Sequence, residues 1–252
     1  MPVIKALLSI IFTVVCCSIA FGQGAVTIYL AGDSTMAEKT ADKRPETGWG
    51  EKLQAFFDPT KVRVENHAKN GRSTRSFIAE KSWASIVDKL KKGDYVFIQF
   101  GHNDQKENTD RYASPADYGN NLIKFVSEVR AKQALPVLFT PVVRRRFDEK
   151  GAFFDTHGKY PDAVRSVASE LKVPLIDMHL KSEKLLRGFG AEGSRKLFLQ
   201  LKPNENPNYP KGIEDNTHFN AYGAEQMASL AVEGIRESKL GLVKYLRKIP
   251  GE

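Results

Sequence analysis

From residue 24 onward, short apolar runs alternate with longer amphipathic segments. The apolar runs are rich in β-branched or aromatic residues and predict strands at residues 26–31, 62–66, 95–100, 137–140 and 175–177. The longer segments predict helices at residues 49–57, 82–91, 115–133, 160–171, 179–186 and 221–238. Strands and helices therefore alternate along the chain, as in α/β proteins.

The third predicted helix shows the pattern most clearly. Its residues Leu122, Phe125, Val126 and Val129 have the i, i+3, i+4, i+7 spacing that forms one apolar stripe, while Lys124 falls on the polar side. Repeated βα units imply a parallel sheet with helices on both faces. No internal repeat or linker divides the chain, so we expect one flavodoxin-like domain with three α/β/α layers and a five-stranded parallel sheet.

The first 22 residues have a different pattern. Lys5 is followed by an apolar run at residues 6–15, then Cys16, Cys17 and a small-residue end near Gly22. This order predicts a signal peptide at residues 1–22, a mature domain at residues 23–252 and a secreted or periplasmic protein. A membrane anchor is disfavoured because the apolar run is shorter than the roughly 20 residues of a spanning helix. A lipoprotein is disfavoured because Val15 is not small.

Composition narrows the possible classes of protein. With 41% hydrophobic and 27% charged residues, the chain is neither disordered, collagen-like nor a coiled coil. Both cysteines lie in the predicted leader, so the mature chain would contain no disulfide, thiol nucleophile or cysteine-ligated metal. The net charge of +8, or +7 without Lys5, favours an acidic polysaccharide over nucleic acid as the partner. The alternative is an ordinary surface of solvated lysines.

Polar residues follow three of the predicted strands. Ser34 comes directly after the first strand, Gly71 follows the second and Asn103 follows the third. In parallel sheets, ligands bind beyond the carboxyl ends of the strands, so we expect these residues on one rim. Ser34 could be exposed there on a tight turn; its alternative role is the N-cap of a helix.

A serine needs a base and an orienting partner to act as a nucleophile. Asp215 and His218, three residues apart ahead of the last predicted helix, could supply both from one turn. The alternative is that Asp215 and Asn216 only form the turn. Acyl transfer also needs donors toward a developing oxyanion, which the Gly71 N–H and the Asn103 amide could provide.

Four sequence blocks, in this order, resemble those of the SGNH (GDSL-type) hydrolases. They are Gly32-Asp33-Ser34, Gly71, Gly101-His102-Asn103-Asp104 and Asp215-Asn216-Thr217-His218. Further stretches resemble the rhamnogalacturonan acetylesterases, which remove acetyl groups from pectin backbones. They are Thr35-Met36, residues 66–73, Phe100 and Phe219-Asn220.

The resemblance implies a role for each matched residue. Ser34 would be the nucleophile, His218 the base and Asp215 its orienter. The N–H groups of Ser34 and Gly71, with Asn103, would form the oxyanion hole. Asp104 is expected to brace its loop rather than react. Thr35 departs from the leucine of the superfamily's namesake motif, which makes lipid substrates less favoured.

The other histidines are His67, His102, His157 and His179. No two of them have the spacing of a helical zinc motif, so we expect no metal and no cofactor. His102 follows the third strand and would either line the substrate pocket or hold its loop.

Three consecutive arginines, residues 144–146, follow the fourth strand at the expected catalytic end. Arg144 and Arg145 could pair with uronate carboxylates in a bidentate way. The alternative is a solvated surface run that pairs with Asp148 and Glu149.

Taken together, these features predict a secreted serine esterase that deacetylates a plant cell-wall polysaccharide, most simply rhamnogalacturonan, through an acetyl-serine intermediate. Nucleic acid and membrane are not expected partners. Two alternatives stay open: a lipid or thioester hydrolase of the same superfamily, and a non-catalytic protein that binds acidic glycans.

Overall fold

The centre of the fold is a five-stranded parallel sheet. The computed structural model describes residues 25–247, so the signal peptide predicted for residues 1–22 lies outside the described residues. The strands are β1 (Val26–Gly32), β2 (Val62–Asn66), β3 (Tyr95–Gln99), β4 (Leu135–Phe139) and β5 (Leu175–Ile176). Their order is β2-β1-β3-β4-β5 and every pairing is parallel. This is the flavodoxin-like order, and it confirms the expected sheet.

Helices cover both faces of the sheet. They are α1 (Gly50–Leu53), α2 (Thr74–Ala79), α3 (Ser82–Val87), α4 (Pro115–Ala131), α5 (Tyr160–Leu171), α6 (Met178–Gly193) and α7 (Ala221–Glu237). The apolar stripe of α4 is buried as predicted, and Ser114 caps the helix by accepting a hydrogen bond from the Asp117 N–H at 3.1 Å. None of the helices described between residues 25 and 247 is long and apolar enough to span a bilayer.

Alternation along β3 divides the core into two layers. Tyr95 and Phe97 face the layer that contains the buried side of α7, whereas Val96 and Ile98 face the layer of α3, α4 and α5. Because successive side chains of a strand point to opposite faces, one fully buried strand serves both cores. The sheet is thus held rigidly from both sides, and its strand ends form a stable rim.

A second, two-stranded antiparallel sheet was not predicted. It pairs β6 (Phe198–Leu201) with β7 (Ile213–Phe219). Phe198 pairs with Phe219 and Gln200 with Glu214, so residues 215–218 bulge out opposite Leu199. The expectation of a simple turn ahead of the last helix is therefore wrong. The polar residues 215–218 hide the alternation by which a strand is recognised.

Several helix boundaries also differ from the predictions. Helix α3 ends at Val87 rather than residue 91, because the chain turns there and the Lys91 N–H donates to the Asp94 carboxylate at 2.9 Å. Helix α2 was not predicted, although Ser73 caps it with a reciprocal bond to Ser76. Helix α6 continues beyond residue 186 to Gly193, with a kink at Gly190, whose φ is +69°.

Candidate active site

Ser34 lies on a tight turn just beyond β1. The N–H groups of Met36 and Ala37 both donate to the Asp33 carbonyl, at 3.2 and 3.0 Å, and close this turn. No helix begins at Ser34; within residues 25–247 the next one is a short 3-10 helix, Ala41–Lys43, preceded by Thr40. The N-cap alternative for Ser34 is therefore wrong, and its side chain is left available for other contacts.

The bulge of β7 brings an aspartate and a histidine to this serine. The Nε2 atom of His218 lies 2.8 Å from the Ser34 hydroxyl, and its Nδ1 atom lies 2.7 Å from the Asp215 carboxylate. Asp215 accepts the Nδ1 proton, which leaves Nε2 as an acceptor for the Ser34 hydroxyl. Serine, histidine and aspartate thus form a continuous hydrogen-bonded relay of the kind that activates a nucleophile.

Asp215 is held in its charged form. Burial by itself raises its pKa, but the hydrogen bond and charge of His218 and two backbone donors outweigh it, and the net shift of the pKa is downward. The donors are the N–H groups of Thr217 and His218, at 2.7 and 3.0 Å. The same carboxylate that orients the ring therefore also shapes the bulge.

Donors for an oxyanion lie on the other side of Ser34. Within the described residues, neither the Ser34 nor the Gly71 backbone N–H donates to a protein acceptor. Gly71 has φ +75°, a conformation that other residues adopt only with strain. The Asn103 amide donates one hydrogen to the Arg72 carbonyl at 3.0 Å, and its second hydrogen remains available.

One buried carboxyl group and one buried amine hold the loops of the candidate site together. Asp104 accepts from the N–H groups of Thr74 and Gly101 at 2.9 and 3.1 Å, so it braces its loop as expected. Burial raises the pKa of Asp104 to about 7, against the hydrogen bonds from Thr74. Lys39 was missed by sequence reasoning, because an isolated lysine outside any periodic segment is read as solvated.

The Lys39 side chain is completely buried and makes three contacts. Its ammonium group donates to the Ser34 carbonyl oxygen, to the Asn70 side chain at 2.6 Å and to the Glu46 carboxylate at 2.8 Å. An ammonium group has three donors, so all of them are used here. Lys39 thereby ties the turn of the predicted nucleophile to the loop of Gly71.

His102 lies behind the site rather than in it. Its side chain is 3% exposed, its Nδ1 atom faces the Asp33 carboxylate at 3.3 Å and its Nε2 atom faces His157 at 3.4 Å. This placement supports the alternative in which His102 holds the loop and leaves no open ring face for a substrate. Burial lowers the pKa of His102 despite the opposing charge of Asp33.

Arg144 and Arg145 are also engaged by the protein itself. Arg144 donates to the carbonyl of His102 and to Thr156, both at 3.2 Å. Arg145 donates to the Asn216 side chain at 2.9 Å and to carbonyl and hydroxyl groups near the end of α6. The surface pairing with Asp148 and Glu149 is not found within residues 25–247, and the contact with uronate carboxylates stays a prediction. The hydrogen bonds that these arginines do make support the β7 bulge and the His102 loop.

Sequence reasoning also missed a cluster of Asp155, His157 and His179, whose ligand-type atoms all lie within 4.8 Å of one another. The search for two histidines on one helix could not find it. Asp155 and His157 come from the loop after β4, whereas His179 comes from the first turn of α6.

This order of strands, with a serine beyond the first and an Asp–His pair from the last, is the arrangement of an SGNH-type hydrolase. Residues 30–226 match the model of the GDSL-like Lipase/Acylhydrolase family. The chain belongs to this family and is a carboxylic ester hydrolase.

Two curated relatives cover nearly the whole chain. It is 45% identical to the rhamnogalacturonan acetylesterase RhgT of Bacillus subtilis, over 88% of this chain and 94% of the relative. It is 29% identical to a rhamnogalacturonan acetylesterase of Emericella nidulans, over 89% and 90% of the two chains.

Solved structures have the same fold. The crystal structure of the B. subtilis protein YxiM has a TM-score of 0.74 and 27% identity, covering 86% of this chain and 58% of that one. A variant of Axe2, an acetyl-xylooligosaccharide esterase of Geobacillus stearothermophilus, has a TM-score of 0.61 over 84% and 95% of the two chains. At 20% identity, the second likeness concerns the fold alone.

Proposed function

We propose that this protein is an exported serine esterase that removes acetyl groups from rhamnogalacturonan through an acetyl-serine intermediate. The observation that carries the proposal is the relay in which His218 lies 2.8 Å from the Ser34 hydroxyl and 2.7 Å from Asp215. A buried serine with no such partners would have no means of losing its proton.

Each half of the reaction uses the same groups. The Ser34 oxygen attacks the acetyl carbonyl carbon while His218 accepts the serine proton, and the carbonyl oxygen turns toward the donors of Gly71 and Asn103. The bond to the sugar oxygen then breaks, and His218 returns the proton to that oxygen. In the second half, His218 deprotonates a water molecule that attacks the acetyl carbonyl carbon. The bond to the Ser34 oxygen then breaks, His218 returns the proton to that oxygen and acetate is released.

Two observations support an acidic polysaccharide as the substrate. The relatives RhgT and YesY of B. subtilis, 45% and 36% identical, are named rhamnogalacturonan acetylesterases, the second as a probable one. A cavity of about 660 Å³ lies beside β6 and β7. Arg195, Lys202 and Lys211 line it together with Glu205 and Glu214, so its cations exceed its carboxylates by one. Gln200, another lining residue, donates to the Asp215 backbone carbonyl at 2.9 Å, so the cavity adjoins the segment that carries Asp215, but Ser34, Asp215 and His218 do not line it.

The proposal of export depends on the sequence alone. Lys5, the apolar run at residues 6–15 and the small-residue end near Gly22 are the parts of a secretory signal peptide.

The two alternatives predict different results in simple assays. A lipid hydrolase would prefer long-chain over acetate esters of p-nitrophenol, whereas a glycan-binding protein would hydrolyse neither. We expect rapid hydrolysis of the acetate ester and none of the palmitate ester, with Ser34→Ala inactive on both. Equal activity of wild type and Ser34→Ala would overturn the proposed mechanism.

Substrate choice is tested by acetate release from acetylated rhamnogalacturonan and from neutral acetylated xylan. We expect rhamnogalacturonan to be preferred and its KM to rise with salt, because exposed charges are screened within about 8 Å at physiological ionic strength. The double charge reversal Lys202→Glu, Lys211→Glu should flatten this salt response and leave the rate on a small acetate ester unchanged. Equal efficiency on both polymers without a salt effect would refute the substrate assignment.

A further inference from the structure

A row of titratable side chains runs from the back of the candidate active site to the protein surface. Asp33 faces His102, whose other ring nitrogen faces His157 at 3.4 Å. The Nδ1 atom of His157 lies 3.3 Å from Asp155, and the same carboxylate oxygen lies 2.8 Å from Nε2 of His179. Asp33 precedes the nucleophile Ser34 in sequence and His102 precedes Asn103, whereas Asp155, His157 and His179 lie outside the residues of the proposed reaction.

The protons available do not satisfy this row. Three contacts join four groups, from Asp33 through His102 and His157 to Asp155. The last two are hydrogen bonds, whereas Oδ2 of Asp33 and Nδ1 of His102 face each other at 3.3 Å and are both buried without a hydrogen-bond partner within residues 25–247. Two neutral imidazoles carry only two protons. If both rings are neutral, either one ring nitrogen directs a lone pair at a carboxylate or the two Nε2 atoms direct lone pairs at each other, and both arrangements are unfavourable.

A cation beside Asp155 would remove this conflict. It would accept the lone pair of the His157 Nδ1 atom, so that the His157 Nε2 proton could be donated to His102. The Nδ1 proton of His102 would then be donated to Asp33, and every contact of the row would be satisfied with neutral rings. A third proton would satisfy the row as well, but it would place a positive charge on an imidazole pair whose members are only 2% and 1% exposed.

The position of His179 favours a cation over a proton. A proton shared by His102 and His157 requires nothing from His179, yet its Nε2 atom converges on the same Asp155 oxygen. All three ligand-type atoms lie within 4.8 Å of one another, with the Asp155 oxygen 3.3 and 2.8 Å from the two ring nitrogens. The ligands of one tetrahedral Zn²⁺ stand about 3.4 Å apart, so side-chain shifts of about an ångström would close the set around an ion. The Asp155 side chain is 32% exposed, so an ion can enter from solvent.

We propose that Asp155, His157 and His179 bind one divalent transition-metal ion, with Zn²⁺ as the chemistry that fits best. Two imidazoles and one carboxylate form a three-ligand set that Zn²⁺ commonly accepts, with water in the fourth position. His179 is the weakest ligand of the three, because its Nδ1 atom is buried without a protein partner within residues 25–247. The ion is a positioning element that acts through His157 and His102 on Asp33, beside the nucleophile.

Metal binding by the untagged, chelator-treated protein tests this site. We expect calorimetry to show one Zn²⁺ per chain and thermal unfolding to shift upward in Zn²⁺. Co²⁺ should give the intense visible absorption of a tetrahedral site. Asp155→Asn and His179→Gln should each lower the affinity at least tenfold, as the loss of a ligand or of its support commonly does. His67→Gln, at a histidine outside the row, is the matched control and should bind as wild type.

Two further measurements keep the test decisive. His218→Gln should lose esterase activity but keep the metal. A failure of the metal proposal can therefore be told apart from a failure of the proposed function. X-ray absorption of the Zn²⁺-loaded wild type should show two imidazoles, which requires no variant to fold. Absence of stoichiometric binding, or binding that survives both ligand substitutions, would overturn the proposal and favour the shared third proton.

Discussion

Two aspartate–histidine pairs flank Ser34, and they differ in where they lie and what they face. The Asp215–His218 pair is 21% and 27% exposed, with a separation of 2.7 Å. The Asp33–His102 pair is 0% and 3% exposed, with a separation of 3.3 Å. The second ring nitrogen of His218 faces the Ser34 hydroxyl, whereas that of His102 faces His157. The same two residue types can therefore activate a nucleophile or stabilise a loop.

The difference follows from access and from hydrogen-bonding partners. A general base needs a free acceptor within reach of the reacting proton and a path for water, and only His218 has the contact with Ser34. His102 has both ring nitrogens inside the protein, so a change in its charge would disturb the fold rather than a substrate. Exchanging single groups in each pair tests this distinction.

The largest effect is expected from matched substitutions of the two histidines. His218→Gln should lower kcat by about a millionfold, because loss of a triad member removes the action of the whole unit. His102→Gln should lower kcat by less than about a hundredfold and should lower Tm instead. Esterase kinetics and thermal unfolding of both variants measure the contrast. Comparable losses of kcat in the two variants would contradict the distinction between the two histidines.

The two aspartates should show the same contrast in activity and stability as the two histidines. Asp215→Asn should lower kcat by about ten-thousandfold with only a small fall in Tm, because the amide no longer accepts the His218 Nδ1 proton in the required tautomer. Asp33→Asn should retain far more activity but lose about 1–3 kcal/mol of stability, since a buried charged acceptor is lost. Urea unfolding and steady-state kinetics separate the two effects. A stable but inactive Asp33→Asn would show that both pairs take part in the chemistry.

Asn103→Ala tests the exposed side of Ser34. We expect kcat to fall about a hundred- to a thousandfold with little change in KM, because an oxyanion donor acts mainly in the transition state. Initial rates on an acetate ester over a range of concentrations give both constants. A change confined to KM would reassign Asn103 to ground-state binding.

Lys39→Met tests whether the buried side of Ser34 also positions it. We expect kcat to fall about ten- to a hundredfold at nearly constant KM, because the Ser34 turn loses its tie to the Asn70 loop. The double variant Lys39→Met, Glu46→Gln serves as the control. It relieves the unpaired Glu46 carboxylate and should recover Tm without recovering kcat. Recovery of both Tm and kcat in the double variant would mean that Lys39 only stabilises the fold.

The smallest effect concerns the pH dependence of stability. Burial raises the pKa of Asp33, but His102 and the hydrogen bonds of Thr35 outweigh it, so that the pKa lies well below its usual value of 3.8. A lowered pKa in the folded state means that ionised Asp33 stabilises the protein above about pH 4 and loses this contribution as the pH falls further. The stability difference between wild type and Asp33→Asn should therefore be constant from pH 5 to 8 and shrink below pH 4. Urea unfolding at several pH values measures it, and a constant difference down to pH 2 would contradict the shifted pKa.

Much of the catalytic rim could be predicted from the sequence, because local patterns determine where a strand ends. The apolar runs located β1, β2 and β3, and the residues that follow them, Ser34, Gly71 and Asn103, lie at one edge because parallel strands point the same way. The spacing of Asp215 and His218 likewise predicted their mutual contact.

Other features depended on contacts between segments far apart in the chain. The β7 bulge arises from pairing with β6, Lys39 is buried because three acceptors from different loops surround it, and Arg145 supports Asn216 across 71 residues of sequence. The cluster of Asp155 and His179 likewise joins a loop to a helix. Spacing along the chain carries no information on such partners, because the free energy of burying a charged or polar group depends on the acceptors that the fold brings to it. The sequence alone therefore determined the sheet and the residues on its rim, whereas only the tertiary structure decided which polar side chains are exposed for chemistry and which are buried to hold the site.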